Sequence, residues 1–352
     1  VGGAGLSHRN IIINGAMNVA QYGTSASNTG GTSARSVDRF FAGNPSASAV
    51  QTFSQETDAP AGFYYSAKAT CTTALTSYGT GAQSKIEYRI EGTDLAHVQL
   101  GTSNAQTLSV SFYVKSNKTG NTAIGLINQN NDRSFVHQYT IASANTWQRV
   151  SFKVVGDTTG TWNKDTSVGM RMRWGTFGTD YQTGTFDAWQ AGQKMATSNS
   201  PINFNSATGD YIQITGVQVE LGDTATSFEH RSYDEELKRC KRYALVIGSN
   251  QAIGTGSAYN STNININIYN QFRATPTYSK TTGGNGYTWV VYVGSSGVAT
   301  ASPTVAVASD SNPNYCLRLY VQNCHNSLTA GQAVWALTHD GGGEQIVFSA
   351  EL

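Results

Sequence analysis

The stretch DYIQITGVQVELG, residues 210–222, decides the fold class. Ile212 and Ile214 alternate with polar residues, and the alternation slips by one place at Gly216 before it resumes at Val217. A period of two is typical of a strand with one buried face, and a glycine at the slip is typical of a β-bulge. The stretch therefore predicts a long strand that keeps one face buried on both sides of a bulge.

The same period of two recurs along the first two thirds of the chain. It is clear in SVSFYVKS (109–116) and RVSFKVVG (149–156), and turn-forming stretches such as GTSASNTGGTSA (23–34) separate these segments. Short strands with frequent turn signals favour a sandwich over an α/β arrangement. We therefore predict an all-β chain in which residues 1–229 form a jelly-roll β-sandwich.

Charged residues are scarce, because they make up 13% of the 352 residues against a usual share of about 25%. Apolar residues make up 39% and are joined by 37 glycines, which suits a folded, turn-rich protein. The formal net charge is +1 and no lysine or arginine stripe recurs, which argues against nucleic acid as a partner. No run of about 18 apolar residues appears, so no membrane insertion is predicted.

The segment SYDEELKRCKRYA, residues 232–244, carries the convincing helix signals. Ser232 caps it, acidic residues fill the first turn and basic residues fill the last turns, so we predict a helical joint at residues 230–244. A helix of about three turns is not stable alone, so its apolar stripe must contact a domain or other copies of the chain. The stripe predicted to hold copies together consists of Tyr233, Leu237, Cys240 and Ala244.

Residues 245–352 return to the period of two and predict a smaller C-terminal β-sandwich domain. Ile264, Ile266 and Ile268 alternate with asparagines in NININIYN. The asparagines would line an exposed face, where amides either bind a partner or contact only solvent.

Motifs of catalysis are missing: no nucleophile, nucleotide or metalloprotease motif is present, and the six histidines are dispersed. We therefore predict that the protein is not an enzyme and uses no cofactor. A glycoside hydrolase needs only two suitably separated carboxylates, so this class stays open as an alternative. Its candidate carboxylates are Glu87, Glu91, Asp94, Asp180 and Asp187.

The aromatic-rich stretch WGTFGTDYQTGTFDAW, residues 174–189, is the candidate ligand site. Aromatic faces stack on sugar rings, while amides and carboxylates accept or donate hydrogen bonds to sugar hydroxyls. A role for the tryptophans in the core or between subunits is the alternative. The predicted glycan-binding residues are Trp174, Phe177, Asp180, Tyr181 and Trp189.

Metal and disulfide signals are weak. The loops NQNNDR (128–133) and ASDSNPN (308–314) could hold a structural calcium ion through oxygen ligands, although turn chemistry explains them equally. The four cysteines show no CxxC spacing, so free thiols are expected, with a Cys316–Cys324 disulfide as an alternative.

Three groups of phrases carry a family resemblance. They are NIIINGAMNVAQYGTS (10–25) with VDRFFAG (37–43), VSFYVKSNKTGN (110–121) with TWQRVSFKVVGDTTGTW (146–162), and ITGVQVELGDTATSFEHRSYDEELKRCKRYA (214–244). Together they resemble bacteriophage tail fibre proteins, in which a jelly roll similar to carbohydrate-binding modules is followed by a short helix and a variable tip. The ending FSAEL (348–352) also resembles that group.

The resemblance implies a virion component, usually a homotrimer, that contacts other phage tail or capsid proteins and displays its last domain to a host-surface glycan or receptor. It carries over no catalytic residue. The chain departs from the family in one respect, because it shows no repeat typical of a fibre shaft, which leaves its place in the virion open.

Three functions follow in order of preference. The first is a non-catalytic tail fibre protein of the virion that recognises host glycans and mediates adsorption. The second is a polysaccharide-degrading, tailspike-like glycosidase, and the third is a purely structural capsid fibre or decoration protein.

Overall fold

The structure is a computed structural model that describes residues 8–28, 31–43, 50–200, 202–281, 288–293, 296–300, 304–307, 316–339 and 345–352. The chain divides into two compact units. The first unit comprises Val1–Leu237 and Leu352, and the second comprises Lys238–Glu351.

The regular secondary structure in the described part of the first unit consists almost wholly of strands. In chain order these are β1 (Ser25–Ser27), β2 (Ser33–Ala34), β3 (Phe40–Gly43), β4 (Val50–Glu56), β5 (Ser66–Thr73), β6 (Gln83–Glu91), β7 (Leu108–Ser116), β8 (Gly120–Asn128), β9 (Arg133–Ile141), β10 (Gln148–Val154), β11 (Val168–Phe177), β12 (Trp189–Ala191) and β13 (Tyr211–Leu221). One helical turn, α1 (Gly92–Leu95), and two 3-10 turns, Ala96–Val98 and Thr179–Tyr181, interrupt them.

These strands form two antiparallel sheets. The six-stranded sheet has the order β1-β4-β5-β13-β7-β10, and the seven-stranded sheet has the order β12-β9-β8-β11-β6-β3-β2. From β3 to β13 the chain passes repeatedly from one sheet to the other, as in jelly rolls. The predicted all-β sandwich is confirmed.

The core of the first unit lies between the two sheets, where alternate side chains of each strand are buried. On β13, Ile212 and Ile214 are buried before the register shifts, and Val217 is buried after it. Gly216 adopts a φ of +60° at the shift, and a Cβ there would lie 2.7 Å from the Phe63 ring. The predicted bulge is therefore present, and only glycine fits it without strain.

The second unit has its own strands. They are β14 (Ala244–Gly248), β15 (Ala252–Ala258), β16 (Ile264–Ile268), β17 (Thr277–Thr281), β18 (Trp289–Val293), β19 (Ser296–Thr300), β20 (Thr304–Val307), β21 (Leu317–Gln322), β22 (Ala333–Thr338) and β23 (Gln345–Ser349). A three-stranded sheet in the order β14-β23-β17 accompanies a seven-stranded sheet in the order β19-β18-β22-β15-β16-β21-β20. Their shared core includes Ile264, Ile266 and Phe348, so the predicted alternation of NININI is confirmed.

Helix α2 (Tyr233–Lys241) is shorter than the predicted segment. Its cap is as predicted, since the Ser232 Oγ accepts a hydrogen bond from the Glu235 backbone N–H at 3.3 Å. Ala244 belongs instead to β14, where it pairs with Ser349, because a strand partner far along the chain outweighs local helix propensity.

The prediction that the helix stripe holds copies of the chain together is wrong for two of its four residues. Cys240 and Ala244 are fully buried within one chain, so neither can contact a neighbouring copy. Leu237 is half-buried, and Tyr233 is 55% exposed. The stripe therefore packs mainly inside the molecule.

Two further findings concern the cysteines and the helices. All four cysteines are free thiols, so the alternative Cys316–Cys324 disulfide is not formed. In the ranges that the structure describes, no helix is long and apolar enough to cross a membrane.

Candidate functional site

The structure separates the five predicted glycan-binding residues, and two of them are buried. Trp174 is 0% exposed and packs edge-on against Phe112, with the ring centroids 5.6 Å apart. Phe177 is also buried, beside Met195. The prediction that Trp174 and Phe177 bind a glycan is therefore wrong, because the side chains of both residues, which lie on β11, are buried in apolar clusters.

Asp180 and Tyr181 lie in a 3-10 turn that is held by local contacts. The Asp180 Oδ1 accepts a hydrogen bond from the Gly81 N–H at 3.0 Å, and the Tyr181 carbonyl accepts bonds from two backbone N–H groups at 3.0 and 3.1 Å. Burial, followed by the Asp180 charge, raises the pKa of the Tyr181 hydroxyl. These two residues stabilise a turn and are not part of the group of rings around Trp189.

Trp189 belongs to a different group of rings, at the edge where β10 ends one sheet and β12 ends the other. The His137 ring stacks on Phe152 at 3.9 Å and an angle of 7°. Phe135 lies 5.5 Å from Trp189, and Trp162 meets Trp189 edge-on at 5.2 Å. We call this group, consisting of Phe135, His137, Phe152, Trp162 and Trp189, the edge cluster.

Polar and exposed groups border the edge cluster. The His137 Nδ1 lies 2.7 Å from the Asp187 Oδ1, and about half of the Asp187 side chain is exposed. The Trp189 Nε1–H donates to the Val155 carbonyl at 2.6 Å, which fixes the indole orientation. Phe186 is 59% exposed. The edge cluster therefore brings three half-buried rings, those of His137, Phe152 and Trp189, close to the partly exposed Asp187 carboxylate.

An ion pair with a buried carboxylate supports the loop that carries Trp162. Arg133 donates two hydrogen bonds to Asp157, at 2.8 and 2.6 Å, and the Trp162 Nε1–H lies 3.3 Å from the same carboxylate. Burial alone would raise the pKa of the Asp157 carboxyl, but the hydrogen bonds from Arg133 and Thr159 outweigh burial and hold that pKa below its usual value. The edge cluster is thus fixed by an ionised carboxylate.

Sequence reasoning missed His137 and Phe152 as site residues. His137 occupies an inward-pointing position of β9, between the buried Phe135 and Tyr139. A polar residue in such a position is a usable signal, because it indicates that the strand lies where the sandwich opens to solvent.

Among the carboxylates considered for a glycosidase, Glu87 is held in ion pairs. Glu87 is buried and contacts Lys85, Arg89 and Arg173 at 2.7, 2.6 and 2.7 Å. Burial alone would raise the pKa of Glu87, but these three cations hold it far below the usual value. Glu87 therefore has no proton to give as a general acid at neutral pH.

The two loops considered for calcium give different outcomes. In NQNNDR, the Asn128 Nδ2 donates to Asp132 at 2.6 Å and Arg171 donates to the Asn131 Oδ1 at 3.1 Å, so loop contacts occupy these oxygens. ASDSNPN lies outside the described residues. No group of three or more histidine, cysteine, aspartate or glutamate residues suited to a metal occurs among the residues that the structure places.

No known protein-family profile matches the chain, and no curated protein matches it. Among solved structures, similarity extends to an enzymatically active domain of bacteriophage CBA120 tailspike protein 4, at 12% identity and a TM-score of 0.33, covering 61% of this chain and 22% of that one. A putative sugar-binding protein from Bacteroides thetaiotaomicron gives 13% identity and a TM-score of 0.34, covering 60% of this chain and 100% of that one.

A family 11 carbohydrate-binding module from Clostridium thermocellum, in complex with a mixed-linked tetrasaccharide, gives 11% identity and a TM-score of 0.27. That match covers 55% of this chain and 91% of the module. Likenesses this weak do not assign a function.

Proposed function

We propose that this chain is a non-catalytic bacteriophage tail fibre protein of the virion that recognises a host-surface glycan and mediates adsorption. The observation that carries glycan recognition is the edge cluster, in which the half-buried Trp189 and His137 rings lie near the Asp187 carboxylate. The phage setting, the homotrimer and the contacts with other tail or capsid proteins rest on the resemblance of the phrases at 10–43, 110–162 and 214–244.

The edge cluster offers the two kinds of contact that sugars require. The half-buried Trp189 ring supplies a flat face for the C–H side of a sugar ring. Asp187 accepts hydrogen bonds from hydroxyls, and its contact with His137 orients it. Since Trp189 is fixed through its Nε1–H, little side-chain entropy is lost on binding.

A glycan array of bacterial surface oligosaccharides tests the proposal, with Trp189→Ala as the site variant. Truncating a central aromatic contact costs about 2 kcal/mol, so we expect affinity to fall at least tenfold. Trp147→Ala is the matched control, because Trp147 is also half-buried and also donates through its Nε1–H, to Asp58 at 3.1 Å, outside the edge cluster. Its binding should equal that of the wild type.

Two results would overturn the proposal in favour of its alternatives. Sustained release of reducing ends from a host polysaccharide would indicate a tailspike-like glycosidase. Failure to bind any glycan, together with failure to block phage adsorption, would indicate a structural decoration protein.

A further inference from the structure

The outer face of the seven-stranded sheet in the first unit carries a group of charged side chains. Lys85, Glu87 and Arg89 alternate along β6 with side chains of the core, so all three project from the outer face. On the neighbouring strand β11, Arg171 is opposite Arg89 and Arg173 is opposite Glu87. We call this group, consisting of Lys85, Glu87, Arg89, Arg171 and Arg173, the cation cluster.

Four positive charges of the cation cluster share one carboxylate. The Glu87 carboxylate lies 2.7, 2.6 and 2.7 Å from the cationic groups of Lys85, Arg89 and Arg173. It lies 3.8 Å from the Arg171 Nε. In the ranges that the structure describes, every ion pair of these four cations is made with Glu87. Positive charge therefore exceeds negative charge within the cluster.

The two arginines nearest the surface place like charges side by side. Arg89 and Arg171 are directly opposite in antiparallel strands, where like charges destabilise the pairing. The Arg89 guanidinium lies 4.8 Å from the centre of the Phe41 ring and donates a hydrogen bond to the Leu352 carbonyl. A carboxylate at Leu352 would balance Arg89 alone, so the other three cations would still share Glu87.

Burial makes this excess of positive charge costly. The side chains of Lys85, Arg173 and Arg171 are 6%, 7% and 13% exposed. Burial, which Glu87 opposes, lowers the pKa of the Lys85 ammonium to about 8. Burial, followed by the Arg173 charge, lowers the pKa of Arg171 to about 10. The charged forms of these side chains are therefore disfavoured, and a bound anion would stabilise them.

Two guanidinium groups of the cluster have N–H donors to offer. Arg173 donates from Nε to Glu87 at 2.7 Å and from Nη1 to the Met195 Sδ at 3.3 Å, although a thioether sulfur is a weak acceptor. Its Nη2 donates no hydrogen bond within the described part of the chain. The same holds for the Nη2 of Arg89, whose side chain is 28% exposed. These donors are available to an anion.

The charge and the donors of the cation cluster restrict the class of ligand. Guanidinium groups match the oxygen geometry of carboxylates and phosphates, and sulfate shares the tetrahedral shape of phosphate. More than one uncompensated cation favours a doubly charged anion over a carboxylate. A nucleic acid requires cations spread along its backbone, whereas these cations are adjacent and mostly buried, so they suit a single anionic group.

We infer that the cation cluster binds one doubly charged tetrahedral oxyanion, a phosphate or a sulfate, either as the free ion or as a group carried by a sugar. This inference goes beyond the proposed glycan recognition and does not depend on it, because the cation cluster and the edge cluster have no residue in common.

Isothermal titration calorimetry of the full chain with sodium phosphate and sodium sulfate, in a chloride background of constant ionic strength, tests the inference. We expect saturable binding of both anions by the wild type. Arg171→Gln and Arg173→Gln each remove one charged donor and should weaken binding about tenfold or more. Arg149→Gln is the matched control, because Arg149 is an arginine outside the cluster that donates to the Thr226 carbonyl at 2.8 Å. Its affinity should equal that of the wild type.

Thermal unfolding without added phosphate or sulfate shows whether each variant folds. If Arg173→Gln does not fold, Arg171→Gln decides the test, because Arg171 is the cation farthest from Glu87. A titration with glucose 6-phosphate distinguishes the two sources of the anion. Tighter binding than that of free phosphate assigns the site to a phosphorylated sugar, and equal binding assigns it to the free ion.

Three results would overturn the inference. The first is an absence of saturable phosphate or sulfate binding by the wild type, and the second is an equal affinity in the wild type and Arg171→Gln. The third is equally tight binding of sodium acetate, which would indicate a site without preference for double charge. Saturable binding of an oligonucleotide without binding of phosphate or sulfate would replace the inference with nucleic-acid binding.

Discussion

Asp157 stabilises the loop that carries Trp162 of the edge cluster. It is buried, it receives both hydrogen bonds from Arg133, and its pKa lies below the usual 3.8. A carboxyl with a depressed pKa stabilises the fold fully above its usual pKa and loses that contribution as the pH falls below it. The wild type should therefore lose stability below about pH 4 partly through this group.

The corresponding prediction is that Asp157→Asn lowers the free energy of unfolding at neutral pH by about 3 kcal/mol, because it leaves the Arg133 charge unpaired. The variant should also lose less stability than the wild type between about pH 4 and pH 2. Urea unfolding at a series of pH values measures both effects, and Asp223→Asn, at an exposed position, is the control. Equal losses of unfolding free energy between about pH 4 and pH 2 in Asp157→Asn and the wild type would contradict this role of Asp157.

At the residue scale, the sequence predicts the core better than the site. The alternation of Met170, Met172 and Trp174 along β11 is the same signal that places β13 correctly, and applying it here would have assigned Trp174 to the core. The contact of His137 with Phe152 joins β9, the strand next to the edge of one sheet, to β10, the edge strand of the other sheet. No local pattern encodes such a contact, because it arises only when the sandwich closes.

At the element scale, the β13 bulge depends on Gly216. We predict that Gly216→Ala lowers the free energy of unfolding by about 2 kcal/mol. The new methyl group meets the Phe63 ring, and the alanine backbone must adopt a left-handed conformation. Gly81→Ala is a matched control, because Gly81 has a φ of +77° but open space around it. Thermal or urea unfolding should show a clearly smaller loss for Gly81→Ala, and equal losses would rule out the steric part of the argument.

The start of helix α2 can be predicted from the sequence, but its end cannot. Its cap and charge order are local, so the sequence predicts where it begins. Its end is set by β14, whose partner β23 lies at the far end of the chain. Local propensity carries no information about that pairing, so the sequence predicts a helix that extends to Ala244.

At the scale of the whole molecule, the two units have separate hydrophobic cores. We predict two thermal transitions that respond to different substitutions. Phe112→Ala, in the first core, and Phe348→Ala, in the second, each cost about 3–5 kcal/mol and should each lower one transition by roughly 10 °C. Differential scanning calorimetry measures this, and a single transition that both substitutions shift would show one cooperative unit instead.

Oligomeric state also belongs to the whole molecule. The resemblance to tail fibres predicts a homotrimer, although Cys240 and Ala244 are buried and cannot supply its contacts. Light scattering at working concentration should therefore give three times the 37.6 kDa mass of one chain. A stable mass of one chain would contradict the trimer for this sequence.

Glycan binding by the edge cluster is followed most directly through the indole N–H signals of the six tryptophans in NMR spectra. The probe is the array oligosaccharide whose binding is weakened most by Trp189→Ala, or the tightest binder if none is weakened. On its addition to the wild type, we expect the Trp189 signal to shift and the Trp147 signal to stay in place. Saturating binding that leaves the Trp189 signal unmoved would contradict the claim.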